Sequence, residues 1–430
     1  MEVQVLSWAP SSAAGSPPRR FCFGTSGPTG PLIPGPSPAM RSELNRDVQP
    51  AAPGEFAPLQ FGPVSVYPPV VLAPMAGVTN APFRTLCRRF SGDRCLYVSE
   101  MITARAFVEG HAKTLKLASF GPDEQNLRSI QLYGTQPAAL AEATRILVND
   151  WGVHHIDMNF GCPVRKVTSS GGGAAIPVRP RMMTSIVRAV VQSAGAVPVT
   201  LKFRKGINDE LLTFRDAGRI AEQEGAKAVA LHARTAAQLY SGEADWNAIA
   251  ELKQQVRSIP VLGNGDVFES FDALRMMRQT GCDGVVVGRG CLGRPWLFGE
   301  LCDVFDGREP RTPPALGDVC DTLREHARLL VDFFGPRKGI LELRKFTGWY
   351  LKGFPGTKRH IHALHNVDAF EDLEAILGQL PRDERYPEVG LRARRCKDGR
   401  PQEHVALPEG FLDDRDADFE VCDPVEVDGG

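Results

Sequence analysis

The chain has 430 residues, enough for one large domain and a smaller one, and its hydrophobic content of 43% and charged content of 23% are ordinary for a globular protein. A net charge near −1 disfavours proteins that bind nucleic acid or a membrane surface through their overall charge. The ten cysteines form no CxxC pair and no zinc-type cluster, so we expect reduced thiols in a cytoplasmic protein without a bound metal. No apolar run approaches the roughly 20 residues that a membrane helix needs.

The beginning of the chain is rich in Pro, Gly, Ser and Ala, as in SGPTGPLIPGPSP. Such a composition offers too little apolar surface to offset the entropy of ordering, which favours a disordered extension over residues 1–60. The alternative is a start codon placed too far upstream. The segment lacks a basic start followed by an apolar stretch, so it is not typical of a signal peptide.

From Val70 onward, short apolar runs alternate with helical patterns. The eight runs begin at Val70, Leu96, Ser129, His155, Pro198, Ala228, Pro260 and Gly284. Helical periodicity fills most intervals, for example Pro137–Asn149, 211–224, 246–256 and Ser270–Thr280. Strands rich in Val, Ile and Leu between helices indicate a parallel sheet covered by helices. We therefore predict an α/β fold with a (β/α)8 TIM barrel over residues 61–310. A doubly wound open sheet is the alternative, and the lack of a GxGxxG after the first strand counts against it.

In such barrels the chemistry lies at the carboxyl ends of the strands. Every predicted strand here ends in polar groups or glycine: Pro74-Met75-Ala76-Gly77, Ser99-Glu100-Met101, Gln131, Asn159 with Cys162, Lys202 with Arg204, His232 with Arg234, Asn264-Gly265-Asp266 and Gly288-Arg289-Gly290. Each has a plain structural explanation, since glycines end strands and a histidine can be a satisfied core residue. The needs of turns alone do not readily explain why all eight strand ends carry polar groups or glycine.

The seventh and eighth strand ends, Asn264-Gly265-Asp266 and Gly288-Arg289-Gly290, lie where barrels of this kind often bind a phosphate. Glycine lets backbone N–H groups approach an anion, and Arg289 adds positive charge. Gln131 and Lys202 are suitable donors for a polar heterocycle, and the PMAG turn after the first strand would let a flat ring pack against the backbone. Flavin mononucleotide (FMN) fits these features better than a dinucleotide.

Cys162 follows the fourth predicted strand in the stretch HIDMNFGCPVRK. Pro163 cannot continue a central strand, so Cys162 should lie in a turn, with Asn159 facing the same pocket. The structural alternative is a small buried cysteine before a turn. An unperturbed thiol has a pKa of about 8.5 and is mostly protonated near neutral pH, which suits a proton donor. A nucleophile would instead need a depressed pKa, which Lys202 could cause by approaching the sulfur.

Beyond Pro310 the composition changes, and helical periodicity predicts a C-terminal all-helical domain over residues 315–380. The stretch from Pro336 to His362 has a local charge of +6. Its basic residues are Arg337, Lys338, Arg344, Lys345, Lys352, Lys358 and Arg359, interleaved with Phe346, Trp349, Tyr350 and Phe354. This mixture suggests a nucleic-acid surface, and the alternative is a solvated helix face with Trp349 in the core. Residues 381–430 are polar and become acidic from Asp413, which predicts a flexible tail.

The motifs APMAGVTNAPFR, SEM, QLYG, DMNFGCPVRKV, LKFR, LHART, GNGD, GVVVGRGCLGRPW and LRKFTGWYLKGF, in this order, resemble those of the bacterial tRNA-dihydrouridine synthases, and the B-type branch in particular. The resemblance covers residues 60–380. It implies a flavoenzyme with a barrel and a helical domain that reduces the C5–C6 double bond of chosen uridines in tRNA to 5,6-dihydrouridine. NADPH would reduce the bound FMN.

The resemblance also implies roles for single residues. FMN would be held by Pro74, Met75, Ala76, Gln131, Lys202, Asn264, Gly265, Asp266, Gly288 and Arg289, together with His232. Cys162 would donate the proton, while Asn159 and Arg204, with His232, would place the uracil and the flavin. One departure is Ala236 after HART, where many relatives carry a second arginine, and this puts the target uridine in doubt.

Two other functions compete with this hypothesis. An FMN barrel acting on a free pyrimidine, as in dihydroorotate dehydrogenase, would not need the basic helical domain. A non-catalytic RNA-binding module on a degenerate barrel would bind RNA without the yellow colour of a bound flavin. The retention of Cys162, Lys202 and both phosphate loops argues against this alternative. The sequence does not fix the uridine, the tRNAs or NADPH over NADH, and we expect a monomer.

Overall fold

A computed structural model describes residues 40–395 and 400–416 of the chain. Eight parallel strands close into a barrel in which each strand pairs with the next one along the chain and the last pairs with the first. Their bounds are β3 (Val70–Leu72), β4 (Leu96–Thr103), β5 (Ser129–Tyr133), β6 (His155–Phe160), β7 (Val199–Arg204), β8 (Ala228–His232), β9 (Val261–Asn264) and β10 (Gly284–Val287). Each predicted apolar run forms one of these strands, so the (β/α)8 prediction is confirmed.

Helices cover the outside of the barrel between the strands. They are α1 (Ala81–Ser91), α2 (Ala104–Val108), α3 (Ala112–Leu117), α4 (Pro137–Asn149), α5 (Arg165–Thr168), α6 (Pro180–Ala194), α7 (Phe214–Gln223), α8 (Trp246–Gln255), α9 (Ser270–Thr280) and α10 (Leu297–Phe305). Local signals set several of their starts: Asn80 caps α1 by accepting from the N–H of Phe83, and α4 begins with a proline. In the described ranges, none of the helices has both the length and the apolar character needed to cross a membrane.

A short antiparallel hairpin, β1 (Leu59–Phe61) and β2 (Val64–Val66), covers the amino-terminal end of the barrel. Its buried side chains pack against apolar residues that point into the barrel, among them Val71, Leu96 and Leu262. These strands were not predicted from the sequence because they have only three residues each. The hairpin fills one end of the barrel and leaves the carboxyl end of the strands for ligands.

The C-terminal helical domain consists of α11 (Leu316–Phe334), α12 (Pro336–Tyr350), α13 (Lys358–Leu364) and α14 (Phe370–Leu377). It packs on the barrel through α1, where the ring of Phe83 stacks on Phe346 with centroids 6.1 Å apart and contacts His326. Phe83, Phe346 and His326 are fully buried, so this contact is part of the continuous hydrophobic core.

The prediction of disorder over residues 1–60 is wrong for residues 40–60, while residues 1–39 lie outside the described part. Ser42 donates its backbone N–H to Glu269 at 2.9 Å, and Asn45 donates its side-chain amide to the buried Asp272 at 2.9 Å. The N–H of Ala51 donates to the carbonyl oxygen of Val304 at 2.8 Å. Composition alone missed this because the ordering contacts come from polar groups of the barrel.

The prediction of a flexible tail over residues 381–430 is also wrong for the part that is described. We call residues 400–416 the C-terminal strap. Its Phe411 is 1% exposed and packs with Ala175, Val178 and Ile207 at the barrel mouth. Gln402 donates its N–H to the carbonyl oxygen of Ala237 at 2.8 Å. Residues 396–399 and 417–430, which include most of the acidic run, lie outside the described residues.

Candidate active site

A cavity at the carboxyl end of the barrel encloses about 520 Å³, part of it open to solvent. It is lined by residues from five strand ends: Ala73, Pro74, Met75, Lys202, His232, Tyr240, Asn264, Gly265, Asp266, Val267, Phe268, Val286, Gly288, Arg289 and Gly290. The structure therefore brings together most of the residues predicted to hold a cofactor. Two do not line this cavity: Ala76 is exposed on the first loop, and Gln131 is buried deeper in the barrel.

The two glycine loops form one end of this cavity. A Cβ on Gly265, whose φ is +132°, would lie 2.6 Å from Cβ of Ala244, and a Cβ on Gly290 would lie 2.1 Å from the carbonyl oxygen of Val267. Only glycine fits these two turns. At Gly288 the nearest atom to an added Cβ is 3.6 Å away, so the absence of a side chain there leaves room for a ligand. With the guanidinium of Arg289 beside them, these backbones fit a phosphate group.

Asp266 and Asn264 use their side chains within the protein. Both carboxylate oxygens of Asp266 accept from Nη2 of the buried Arg234 at 2.8 and 2.9 Å, and one accepts from the N–H of Ala244 at 2.7 Å. The Asn264 amide donates to the carbonyl oxygen of Val286 at 2.7 Å. These two side chains therefore fix the loop after β9. The resemblance, in contrast, had implied that both contact FMN directly.

Lys202 and His232 also line this cavity, and Cδ2 of His232 lies 3.6 Å from the position of a Cβ on Gly265. Burial and, to a smaller extent, the charge of Arg204 lower the pKa of Lys202 to about 8, although Asp157 opposes the shift. Burial and the surrounding cations lower the pKa of His232 well below its usual value, so this imidazole is neutral at neutral pH. The cavity therefore offers one ammonium group and one neutral ring to a heterocycle.

Cys162 lies in the turn directly after β6, as predicted. Asn159 holds this turn because its Oδ1 accepts from the backbone N–H groups of Gly161 at 3.1 Å and Cys162 at 2.9 Å. Of the cysteines in residues 40–395 and 400–416, only Cys162 is partly exposed. Burial raises the pKa of the Cys162 thiol, although a backbone N–H of Val164 and the cations Arg204 and Lys202 oppose the shift. The sulfur is therefore protonated at neutral pH.

Arg204, predicted to place the uracil, is 3% exposed and braces the loops of the site. Its Nε donates to the carbonyl oxygen of Gly161 at 3.0 Å, and its Nη1 donates to those of Thr235 and Leu239 at 2.9 and 2.8 Å. Leu239 has a positive φ of 51°, which is strained for a leucine. Two of the three guanidinium nitrogens are thus committed to backbone, and Nη2 is the one left to face a ligand.

Two residues of this site, Tyr240 and Asp157, were not predicted from the sequence. The ring of Tyr240 lies 5.4 Å from the guanidinium of Arg204 and 4.6 Å from that of Arg289, so it separates two cations at the rim. Asp157 is buried beside Lys202 inside the barrel. A carboxylate between apolar residues of a buried strand was a signal for Asp157, because such groups are paired or functional. Nothing in the sequence pattern pointed to Tyr240.

The basic surface of the helical domain differs from its prediction in one respect. Phe346, Tyr350 and Phe354 are buried, so these rings cannot stack on nucleotide bases. Trp349 is partly buried against Phe346. The cations mostly remain outside: Arg337, Lys338, Lys345, Lys352, Lys358 and Arg359 are exposed. The predicted nucleic-acid surface is therefore wrong for Phe346, Tyr350 and Phe354, and a charged face with the partly exposed Trp349 remains.

The family model for dihydrouridine synthase matches residues 71–379. A probable tRNA-dihydrouridine synthase of Mycobacterium tuberculosis (strain CDC 1551 / Oshkosh) is 52% identical over 365 residues, which cover 83% of this chain and 93% of the relative. The chain belongs to the dihydrouridine synthase family.

A second relative, tRNA-dihydrouridine synthase B of Xanthomonas axonopodis pv. citri (strain 306), is 41% identical over 69% of this chain and 88% of its own length. Among solved structures, histamine dehydrogenase from Rhizobium sp. 4-9 matches with a TM-score of 0.46 and 12% identity. The match covers 80% of this chain and 66% of that one. The TM-score and the identity are too low to bear on function. The family match ends at residue 379, so the C-terminal strap lies beyond it.

Proposed function

We propose that this protein is an FMN-dependent tRNA-dihydrouridine synthase that acts in the cytoplasm, as a monomer and with NADPH as reductant. The observation that carries the proposal is the position of a partly exposed, protonated Cys162 at the same barrel mouth as a cavity with two glycine loops, Arg289 and Lys202. The names of the relatives supply the substrate: both are called tRNA-dihydrouridine synthases.

Each group of the site has a separate task in this proposal. FMN, when bound, supplies the hydride for the C5–C6 double bond of uracil. The glycine loops and Arg289 bind its phosphate, and Lys202 faces its ring with a positive charge. Cys162 gives the proton from its sulfur to the other carbon, since its raised pKa keeps the thiol protonated. Asn159 and Arg204 hold the turn that presents this thiol.

The charge of the helical domain favours RNA over a free pyrimidine as the substrate. Lys352, directly after α12, and Lys358 and Arg359, at the start of α13, are exposed and accessible to phosphate groups. A dihydroorotate dehydrogenase-like enzyme, the first alternative, has no use for such a face. A non-catalytic RNA-binding module, the second alternative, has no use for a protonated thiol at a phosphate-binding barrel mouth.

The proposed function is tested with the purified full-length chain. We expect a flavin absorbance spectrum, reduction of that flavin by NADPH, and formation of dihydrouridine in tRNA isolated from a strain that lacks this gene. Sequencing the modified positions would also identify the uridine. A protein that stays colourless after incubation with FMN would refute the redox function, and a yellow protein that reduces only free pyrimidines would favour the first alternative.

A further inference from the structure

Asp157 is a 5% exposed carboxylate in β6, two residues before Asn159 and five before Cys162. We propose that Asp157 is a positioning residue whose carboxylate fixes the direction of a hydrogen-bond chain through Gln131 and Asn159 to the Cys162 turn. The proposal rests on the proposed function, because it concerns the residue expected to deliver the proton.

The upper part of this chain connects the Cys162 turn to Asp157. Because Asn159 Oδ1 accepts from the backbone N–H groups of Gly161 and Cys162, its Nδ2 must face the other way, toward Gln131 Oε1 at 2.9 Å. Gln131 then presents its Nε2 to Asp157 Oδ2 at 2.7 Å. An ionised carboxylate only accepts hydrogen bonds, so a single orientation of both amides pairs every group.

The lower part of the chain runs from Asp157 toward the hairpin end of the barrel. Asp157 Oδ1 accepts from the Thr200 hydroxyl at 2.6 Å, and that hydroxyl in turn accepts from His155 Nε2 at 2.9 Å. The Ser129 hydroxyl donates to His155 Nδ1 at 2.7 Å. Burial lowers the pKa of His155 to about 3, so the ring is neutral and has one donor and one acceptor. All donors below Asp157 therefore also point toward the carboxylate.

Charge keeps Asp157 in the accepting state. Burial raises its pKa to about 6, while hydrogen bonds from Thr200 and Gln131 and the nearby Lys202 oppose the shift. The carboxylate is thus ionised at neutral pH. A neutral, hydrogen-bearing group at this position would face a donor on each side, from Thr200 and from Gln131. Two hydrogen-bond donors would then face each other at one of these contacts. Turning the Gln131 amide would relieve that clash, but Asn159 would have to turn as well. Its Nδ2 would then face the backbone N–H of Cys162, and two donors would again oppose each other.

Shape-conserving substitutions separate this directional role from simple space filling. Asp157→Asn introduces the mismatch without changing the volume of the side chain. Gln131→Glu places two carboxylates against each other, which is also unfavourable. In the double variant the new Glu accepts from Asn159 on one side and from the new Asn on the other, and the new Asn still accepts from Thr200. The double variant therefore restores the original direction of the hydrogen bonds, with the carboxylate at position 131 in place of position 157.

The test measures the Cys162 turn itself in the full-length chain as purified. Mass spectrometry would follow hydrogen exchange in the peptide that contains Gly161 and Cys162, and the rate at which iodoacetamide alkylates Cys162. We expect each single variant to raise both rates about 10-fold, the effect of losing one buried hydrogen bond, and the double variant to return to within about 3-fold of the parent.

Ser129→Ala is the matched control, because it removes a hydroxyl from the same chain but leaves the carboxylate in place, and it should keep the parental rates. The proposal is overturned if Asp157→Asn keeps the parental rates, if the double variant unfolds or is no slower than the single variants, or if Ser129→Ala is equally disruptive. Neither measurement needs flavin or RNA. A failure to form dihydrouridine would therefore count against the proposed function alone.

Discussion

The Nε atom of Arg204 lies 3.0 Å from the carbonyl oxygen of Gly161, which joins the end of β7 to the turn that carries Cys162. Through Nη1 the same guanidinium reaches the carbonyl oxygens of Thr235 and Leu239 in the loop after β8. One buried side chain therefore links three neighbouring strand ends of the barrel mouth.

This linkage predicts the effect of Arg204→Lys. Lysine keeps the charge but lacks the planar fork that reaches three carbonyl groups, so the Cys162 turn should loosen. We expect single-turnover reduction of tRNA to slow about 10- to 100-fold, the effect of losing one or two charged hydrogen bonds. Flavin content should not change, since Arg204 does not line the large cavity. Arg188→Lys, at an exposed ion pair with Glu224, is the control. A parental rate in Arg204→Lys would show that the linkage does not affect turnover.

Arg289→Ala should weaken FMN binding. Loss of a charged hydrogen bond to a phosphate costs about 1.5–3 kcal/mol, so we expect the dissociation constant, measured by flavin fluorescence, to rise roughly 10- to 150-fold. Arg165→Ala removes the same charge from the exposed start of α5, outside the cavity, and should leave FMN binding unchanged. Equal effects of the two substitutions would mean that general charge, and no specific contact, attracts the flavin.

Cys162→Ala should leave flavin binding and reduction by NADPH intact and slow uridine reduction at least about 100-fold, the usual effect of losing a general acid. The pH dependence follows from the raised pKa of the thiol. A proton donor is active below its pKa, so the thiol should remain a competent donor from neutral pH into the mildly alkaline range and lose its proton only above the usual thiol pKa of about 8.5. Lys202, whose pKa is about 8, should lose its charge first and cause the earlier part of any fall in rate. A rate that rises with pH through neutrality would instead indicate a thiolate nucleophile.

The exposed cations of the helical domain should bind RNA phosphates. If so, tRNA affinity falls steeply with salt, and each lost phosphate contact lowers the slope of log K against log salt by about one. Lys352→Glu with Lys358→Glu should weaken tRNA binding in a filter assay and leave the flavin spectrum unchanged. Lys227→Glu, exposed at the start of β8 on the opposite end of the barrel, is the control. Salt-independent binding would show that this surface is an ordinary solvated face that does not bind RNA phosphates.

Phe411→Ala should release the C-terminal strap. Truncation of a buried phenylalanine costs about 3–5 kcal/mol, and here the loss falls on a local segment anchored by this ring. We expect limited proteolysis within residues 400–416 to accelerate at least about 10-fold. Leu412→Ala changes a neighbour that is 49% exposed and should have little effect. If both variants are cleaved at the parental rate, the ring does not anchor the strap.

The barrel was predictable because its signals are local. The run HIDMNF coincides with β6, and the helical periodicity of Pro137–Asn149 and Ser270–Thr280 gave bounds that match α4 and α9. Glycines at strand ends pointed to the cavity because only special backbone conformations require them. These features depend on residues that are adjacent in sequence.

The parts that were missed depend on contacts between distant residues. Residues 40–60 and the strap look like disordered segments in isolation, yet Asn45 bonds with Asp272 and Phe411 packs on Val178. For the same reason the sequence did not show that Asp266 is committed to Arg234. A residue type at a strand end indicates chemistry, but the partner of its side chain is decided by the tertiary fold.

The order of the chain gives the strap a further consequence during synthesis. Gln402 lies 239 residues after Pro163, whose carbonyl oxygen its amide reaches at 3.4 Å. At a translation speed of about 5–20 residues per second, the Cys162 turn leaves the ribosome roughly 10–50 s before Gln402 is made. A nascent barrel therefore carries its proton-donating thiol before the hydrogen bond from Gln402 can form, and a prematurely terminated message would yield a barrel that lacks this hydrogen bond.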